Sequence, residues 1–382
     1  MNPKFFLVLM VLLIVAGFVV LDYRDARAGE VLPNAEYKVL DPIRHGNLTV
    51  FPVAAVKTYP TGEFLTLDEG LRSGEVVVTE AGSAQGLIRR QHPTTAFHHD
   101  GAQVNRLVLI NNSKRPLLLL AGEVVSGGKQ DRVIGKDRIV PAESDPVDLS
   151  VFCVEPGRWV PTSEHFGASG EMYGGAKNDP KAAPPMALMV QPSVRSKAMA
   201  EKDQQAVWDA VNRQKEQVSA ALVANEPLAQ GEVGRTSSYA RVMENAEVRK
   251  QVDAVATPIE QNYQSLIHQL RDRNAVGVVV AVNGRIIWAD IFASTDLLAK
   301  YWPKLVRSYA SEAVVTRAKD VEVSVHRAQA FLADMEGRRE TIENEPGVYR
   351  HTEVSGDGFK AFALTSLLPK TGFDVHVAKM AD

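Results

Sequence analysis

"AGEVVSGGKQDR", residues 121–132, has the outline of a phosphate loop: a glycine, four residues, a second glycine, then a lysine one place late. Its reading decides between a nucleotide-binding α/β fold and another architecture. A Walker A loop sets its lysine directly after the second glycine, with Ser or Thr next, so that the amine reaches the phosphates and the hydroxyl binds magnesium. Here Gly128 holds the lysine position, and Gln130 stands where the hydroxyl would follow Lys129. The continuation "QDRVIGKDRIV" reads as strand, where a phosphate loop would open a helix. No G-x-G-x-x-G fingerprint follows any strand either. An NTPase is therefore not expected. What remains is an apolar run, Leu117 to Leu120, entering Gly122-Glu123. Gly127-Gly128 then permit backbone angles closed to other residues, and four polar side chains follow, Lys129, Gln130, Asp131 and Arg132. Alone, this reads as a glycine turn with a solvated end.

Outward from that stretch, residues 36–160 read as β-rich. "LTVFPVAAV" is followed by "FLTLDEGLRSGEVVVTE", a short helical turn and then a strand from Glu75 to Thr79. "RLVLINN" and "PLLLLAGEVV" flank the turn-like Asn111-Asn112-Ser113-Lys114, which predicts a hairpin. "DRIVPA" and "VDLSVFCVE" complete the set. Residues 160–194 are crowded with Gly, Pro and Ala and read as a flap, since so long a loop is uncommon without a function. Residues 195–225 have helical spacing, with Val207, Val211, Val218 and Leu222 on one face. Residues 239–271 form a second helical pattern with a break or kink at Pro258. "AVGVVVAVNGRIIWADIF" gives a hairpin around Asn283-Gly284. "STDLLAKYWPKLVRSYASEAV" opens with a good cap and is helical, interrupted at Pro303. "VEVSVHRAQAFLADME" is helical, and "GVYRHTEVSGDGFKAFALTSLL" and "FDVHVAKM" return to strands. Strands, then helices, then strands indicate α+β: a mixed, largely antiparallel sheet covered by helices, in a single integrated domain over residues 29–382, with the last strands joining the sheet of the first.

The 382 residues carry a net charge of −3, which excludes a general nucleic-acid binder; Arg338-Arg339 is too short to be a basic patch. Lys4 precedes the uncharged run "FFLVLMVLLIVAGFVVL", and Ala26-Arg27-Ala28 fits a small-x-small cleavage site. Residues 1–28 are thus expected to be a secretory signal peptide, with a retained N-terminal anchor as the alternative. Their removal takes away three basic and two acidic side chains and leaves a net charge of −4. The expectation is export to the periplasm or the extracellular space, with no stable membrane insertion once the signal is cleaved. Cys153, the only cysteine, lies in an apolar strand-like run and is expected to be buried.

A second polar cluster, "CVEPGRW", spans Cys153 to Trp159. Glu155 and Arg158 flank a Pro-Gly turn. Arg158 offers a planar fork for carboxylate or phosphate, and Trp159 a stacking face. That combination suits a ligand with an anionic part and a flat or sugar-like part; a Glu155–Arg158 ion pair across the turn, with Trp159 in the core, is the plainer reading. Taken together, "LLLLAGEVVSGGKQDRVI", "IVPA" and "VDLSVFCVEPGRW" resemble the ARG and rhodanese-phosphatase-superfamily-associated protein domain family. "HGNLTVFPV" and "GVVVAVNGRIIWADIFASTDLLAKYWPKLVRSYA" are similar to it as well. The family's name refers to neighbouring ADP-ribosylglycohydrolase and rhodanese- or phosphatase-like proteins, so the resemblance implies a link to ADP-ribose or modified nucleotides. It implies no assigned activity.

Other candidates are thinner. His92 and His98-His99-Asp100 lack the spacing of a zinc site. "GASG", residues 167–170, is only part of a nucleophile elbow. Trp288 and Asp290 alternate onto one strand face, at the rim of the sheet. Glu123 and Glu155 are the carboxylates available for acid–base work. Three readings stand. The first is a ligand-binding domain whose site comprises Glu123, Gly127, Gly128, Lys129, Gln130, Arg132, Glu155, Arg158 and Trp159, for a small molecule of ADP-ribose, sugar or nucleotide type. The second is a hydrolase using Glu123 or Glu155 on such a substrate. The third is a structural protein of the cell envelope. No cofactor or metal is called for, and the oligomeric state is not legible.

Overall fold

Asn283 and Gly284 both adopt positive φ, 52° and 73°, the geometry that lets a two-residue turn follow the twist of its strands. They join the strands Asn274–Val282 and Arg285–Phe292 at the centre of a nine-stranded sheet. The computed structural model describes residues 37–81, 105–163, 165–168, 187–222, 227–270, 273–316 and 321–382. The central hairpin is flanked on one side by Leu48–Ala55 and on the other by Asp374–Ala381, all antiparallel. Phe359–Ser366, Tyr349–Gly356 and the edge strand Arg338–Glu345 continue the sheet. The first and last strands of the described chain thus share one sheet.

Both faces of this sheet are covered, so its central strands are apolar throughout. On one face, Leu48, Val50, Val278 and Val280 pack with the helices Gln204–Leu222, Ala246–Gln269 and Thr295–Val314 in the main core. On the other, Phe51, Val53, Val279 and Ala281 pack with Ala328 of the short helix Val325–Ala333. The helix Ala246–Gln269 runs unbroken through Pro258, and Thr295–Val314 through Pro303. Neighbours such as Ala256, Ile259, Leu305 and Val306 are buried, and their packing outweighs the hydrogen bond each proline removes. Among the described residues no helix is long and apolar enough to cross a membrane.

The remaining strands form a six-stranded and a three-stranded sheet. They enclose a second core of Val78, Leu109, Leu117, Leu119, Val125, Ile134 and Val151. The hairpin expected at Asn111–Lys114 is not formed: Arg106–Asn111 pairs with Val76–Glu80 and Val147–Cys153, whereas Leu117–Leu119 pairs with Arg138–Val140 and, in parallel, Leu65–Thr66. The turn is real, and Asn111 Nδ2 donates to the carbonyls of Arg115 and Pro141 at 2.9 Å, but it hands the chain from one sheet to the other. Trp288 and Asp290 do share a face, but they lie inside the sheet rather than at its rim, because their strand is paired on both sides. The expected signal segment and the histidines at 92, 98 and 99 lie outside the described residues, as does most of the 160–194 flap.

Candidate functional site

The 121–132 stretch forms the hairpin between Val124–Gly127 and Arg132–Ile134, with Val125 opposite Arg132. Its two glycines are required by space as well as by angle. Gly127 and Gly128 have φ of +123° and +49°, and a Cβ on Gly128 would lie 2.3 Å from the Phe166 ring and 2.9 Å from Glu80 Oε1. Four backbone amides of the turn are already spoken for. Gly127 N donates to Asp131 Oδ1 at 3.1 Å, Gly128 N to Ser163 Oγ at 3.1 Å, Lys129 N to Glu80 Oε1 at 2.9 Å and Asp131 N to Glu155 Oε2 at 3.1 Å. A phosphate loop presents such amides to its ligand; this turn spends them on its own carboxylates and a hydroxyl.

The Glu155–Trp159 turn lies directly beside it. Arg158 Nη1 donates to Gly128 O at 3.0 Å and Val160 O at 2.7 Å, and Nη2 to Glu155 Oε2 at 2.5 Å. Gln130 Nε2 donates to Glu155 O at 3.1 Å. Asp131 is fully buried and accepts from Ser238 Oγ at 2.5 Å; Ser238 caps the helix Tyr239–Glu244. Arg158, Glu155, Gln130 and Asp131 therefore clamp the two turns together.

Arg132 is different. It is 0% exposed, and its strand position puts it opposite Val125 on one side and Cys153 on the other. Its hydrogen bond is a long one, Nη1 to Asp131 O at 3.4 Å; Nε and Nη2 have no partner among the described residues. Burial pulls its pKa below the usual guanidinium range, offset in part by Cys153, Glu80 and Asp131. Trp159, 41% exposed, lies over it: the Arg132 guanidinium carbon is 5.9 Å and Lys129 Nζ 5.0 Å from the indole ring. Glu80 completes the cluster. It is 8% exposed, one oxygen holds Lys129 N, and Oε2 has no partner among the described residues. Cys153 is buried, its Sγ accepts from Glu155 N at 3.3 Å, and burial pushes its thiol pKa up, so it carries little thiolate at neutral pH.

Glu123 stands apart from this group, at the other end of the Val124–Gly127 strand. Its Oε2 accepts from Leu120 N at 2.7 Å and its Oε1 from Lys304 Nζ at 2.6 Å; Lys304 also pairs with Asp68. Burial raises the pKa of Glu123 against the pull of Lys304. Its neighbours open a second buried network, of whose side chains only Trp288 and Asp290 stood out in the sequence. Gly122 has φ +96°, and a Cβ there would lie 2.9 Å from Arg195 Cδ. Arg195 Nη1 donates to Asp290 Oδ2 at 2.9 Å, and its guanidinium carbon lies 4.7 Å from the Trp288 ring centroid. Tyr309 donates to the same oxygen of Asp290. His376 bridges Asp290 at 3.0 Å and Asp137 at 2.6 Å, and Asp137 accepts from Ala121 N at 2.8 Å. Burial opposes charge on His376, but the two carboxylates win and its pKa is pushed up to about 9. No local pattern could have shown this network, because its members are scattered from Asp137 to His376. Elsewhere an open groove of about 640 Å³ is lined by Arg106, Lys136 and Arg138; each pairs with a carboxylate, Asp148, Glu343 and Glu345 respectively.

No curated protein and no solved structure matches the chain. The family model of the ARG and rhodanese-phosphatase-superfamily-associated protein domain matches residues 36–379, nearly everything described above, and the chain belongs to that family.

Proposed function

We propose that the chain is an exported ligand-binding domain whose site centres on Arg132, with Lys129, Glu80 and Trp159 around it and the Arg158–Glu155 clamp as its frame. The observation that carries this reading is a fully buried guanidinium that has, among the described residues, neither an ion pair nor a partner for Nε and Nη2. Buried arginine is costly unless paired, and Nε and Nη2 form the edge that grips a carboxylate or phosphate through two parallel bonds. Trp159 is the movable part: its exposed ring covers Arg132 now and offers a face for a planar or sugar-like group once the anion has entered. A ligand of ADP-ribose, nucleotide or sugar-phosphate type has both parts. Glu123 and Glu155 each already hold a backbone N–H and a cation, which favours binding over hydrolysis.

The test is a thermal-shift screen of the mature protein against ADP-ribose, nucleotides, sugar phosphates and peptidoglycan fragments, since a ligand that binds only the folded state must stabilise it. A binder should quench or shift Trp159 fluorescence, and Arg132→Met should remove both signals. Stabilisation that survives Arg132→Met would place the ligand elsewhere. Export is tested separately by intact mass: the exported protein should begin at Gly29.

A further inference from the structure

We infer that the anion taken at Arg132 carries its own proton, as a singly protonated phosphate or phosphate monoester does, and that Glu80 selects it. The inference rests on the reading of Arg132 as the anion site and adds to it the chemistry of the ligand.

The cluster holds two kinds of unused hydrogen-bonding capacity. Arg132 offers two donors on one edge, Nε and Nη2. Glu80 offers an acceptor, Oε2, on a side chain that is 8% exposed. Glu80 holds Lys129 N, and Lys129 Nζ shares the Trp159 ring with the Arg132 guanidinium, so the two groups belong to one cluster; the charge of Glu80 acts on Arg132, yet among the described residues they form no ion pair. Glu80 cannot simply turn away, because its Oε1 accepts from Lys129 N at 2.9 Å. A Cβ on Gly128 would meet both that same oxygen and Phe166, so the carboxylate is hemmed in from the turn.

An anion on the Arg132 edge would bring its oxygens near the free oxygen of Glu80. For sulfate, which has no proton at neutral pH, that approach sets acceptor against acceptor in a desolvated place, where an unpaired polar atom is most costly. A phosphate monoester loses its second proton near about pH 6. Below that pH it has one P–OH group to donate to Glu80 Oε2 and two oxygens to accept from Arg132. Both free donors and the free acceptor are then satisfied by one ligand.

The experiment is calorimetric titration of the folded protein with inorganic phosphate, glycerol phosphate and sulfate from pH 5.5 to 8.5. Phosphate and its monoester should bind at least tenfold tighter than sulfate at the acid end. The affinity of glycerol phosphate should then fall by up to about tenfold per pH unit above its second ionisation, as expected when one proton is taken up with the ligand, whereas inorganic phosphate keeps one P–OH as its dianion and should hold its advantage over sulfate across the range. Glu80→Gln keeps an acceptor for Lys129 N and replaces the free oxygen by an N–H donor, so the preference should collapse to within about twofold. Equal binding of sulfate and phosphate by the wild type, both lost in Arg132→Met, would overturn the proton selection and leave the anion site standing. No binding of either by the wild type, or binding unaffected by Arg132→Met, would sink the anion site itself. A crystal structure grown in phosphate with only a water between Arg132 and Glu80 would overturn the selection as well.

Discussion

Among the described residues two arginines are fully buried, and the fold treats them in opposite ways. Arg195 is bonded to Asp290, lies against Trp288 and feels Asp137 beyond. Its pKa is raised, because those charges outweigh burial. Arg132 is equally hidden, but burial dominates and its pKa is lowered. Each leaves Nε and Nη2 without an acceptor among the described residues, so the count of hydrogen bonds is not what separates them. The separation is in charge: Arg195 has an acid in contact and sits among helices, whereas Arg132 has none and sits under a half-exposed indole at the end of its strand. A buried cation whose charge is balanced inside the fold is part of the framework. One left unbalanced close to the surface marks a place where something else supplies the balance.

Substitutions on either side distinguish the two arginines. The largest effect should come from Asp290→Ala, which strands Arg195 and leaves His376 and Tyr309 without their shared acceptor. Loss of one partner of a buried pair costs about 3–5 kcal/mol, read as a fall in the urea midpoint. A cost below about 1 kcal/mol would mean that Arg195 is no better balanced than Arg132. Arg158→Ala should cost about 2–3 kcal/mol, since Glu155 would lose its charge-assisted bond where the carboxylate is only 4% exposed.

A pH titration sharpens the same contrast. His376 has a folded pKa of about 9, above its ordinary 6.5, so its contribution is complete below about pH 6.5 and is lost as pH rises through about 9. His351 is also buried, which lowers its pKa to about 4, and its ring nitrogens have no partner among the described residues. Its contribution is present above about 6.5 and is lost as pH falls toward about 4. Stability should therefore peak near neutrality and fall on the alkaline side with a slope of at most about 1.4 kcal/mol per pH unit. His376→Asn should flatten that alkaline limb and leave the acid one, as measured by urea unfolding from pH 5 to 9.5.

Arg132→Met should do the reverse of Asp290→Ala: no loss of stability, or a gain of about 1 kcal/mol, because an unbalanced buried charge is replaced by an apolar chain of similar length. A loss above about 2 kcal/mol would show that the fold uses Arg132 as it uses Arg195. The smallest effect should be Lys129→Ala, below about 1 kcal/mol, the worth of one partly exposed cation–π contact.

The sequence displayed the α+β order of elements, the Asn283-Gly284 hairpin and the charged turns at the ends of Val124–Gly127 and Val147–Cys153. These are local signals: turn chemistry, periodicity and charge at a strand end. The partners of apolar strands were not legible. Leu107 to Ile110 and Leu117 to Leu120 are apolar without alternation, so neither shows which sheet it joins. Asp290 looked like a rim residue because an acid normally seeks water; the groups that keep it buried, Arg195 and His376, come from 95 and 86 residues away in the chain. Arg338–Glu345 was missed as a strand because its charged, exposed side chains lack an apolar face, as suits an edge that must not attract further strands. Glu80, the acceptor at the Arg132 cluster, ended a strand without any motif to mark it.

The pairing of Leu48–Ala55 with Asn274–Val282 has a consequence for how the protein is made. The earlier strand is buried along its whole length, yet its main partner leaves the ribosome roughly 230 residues later, a wait of about 10–50 s at usual elongation rates. Throughout that interval the nascent chain carries an apolar strand with one edge and both faces uncovered, the kind of segment that recruits a holding chaperone or aggregates. Assembly of the large sheet is thus timed by synthesis, and slowing translation between the two strands should cost yield long before it costs the stability of the finished molecule.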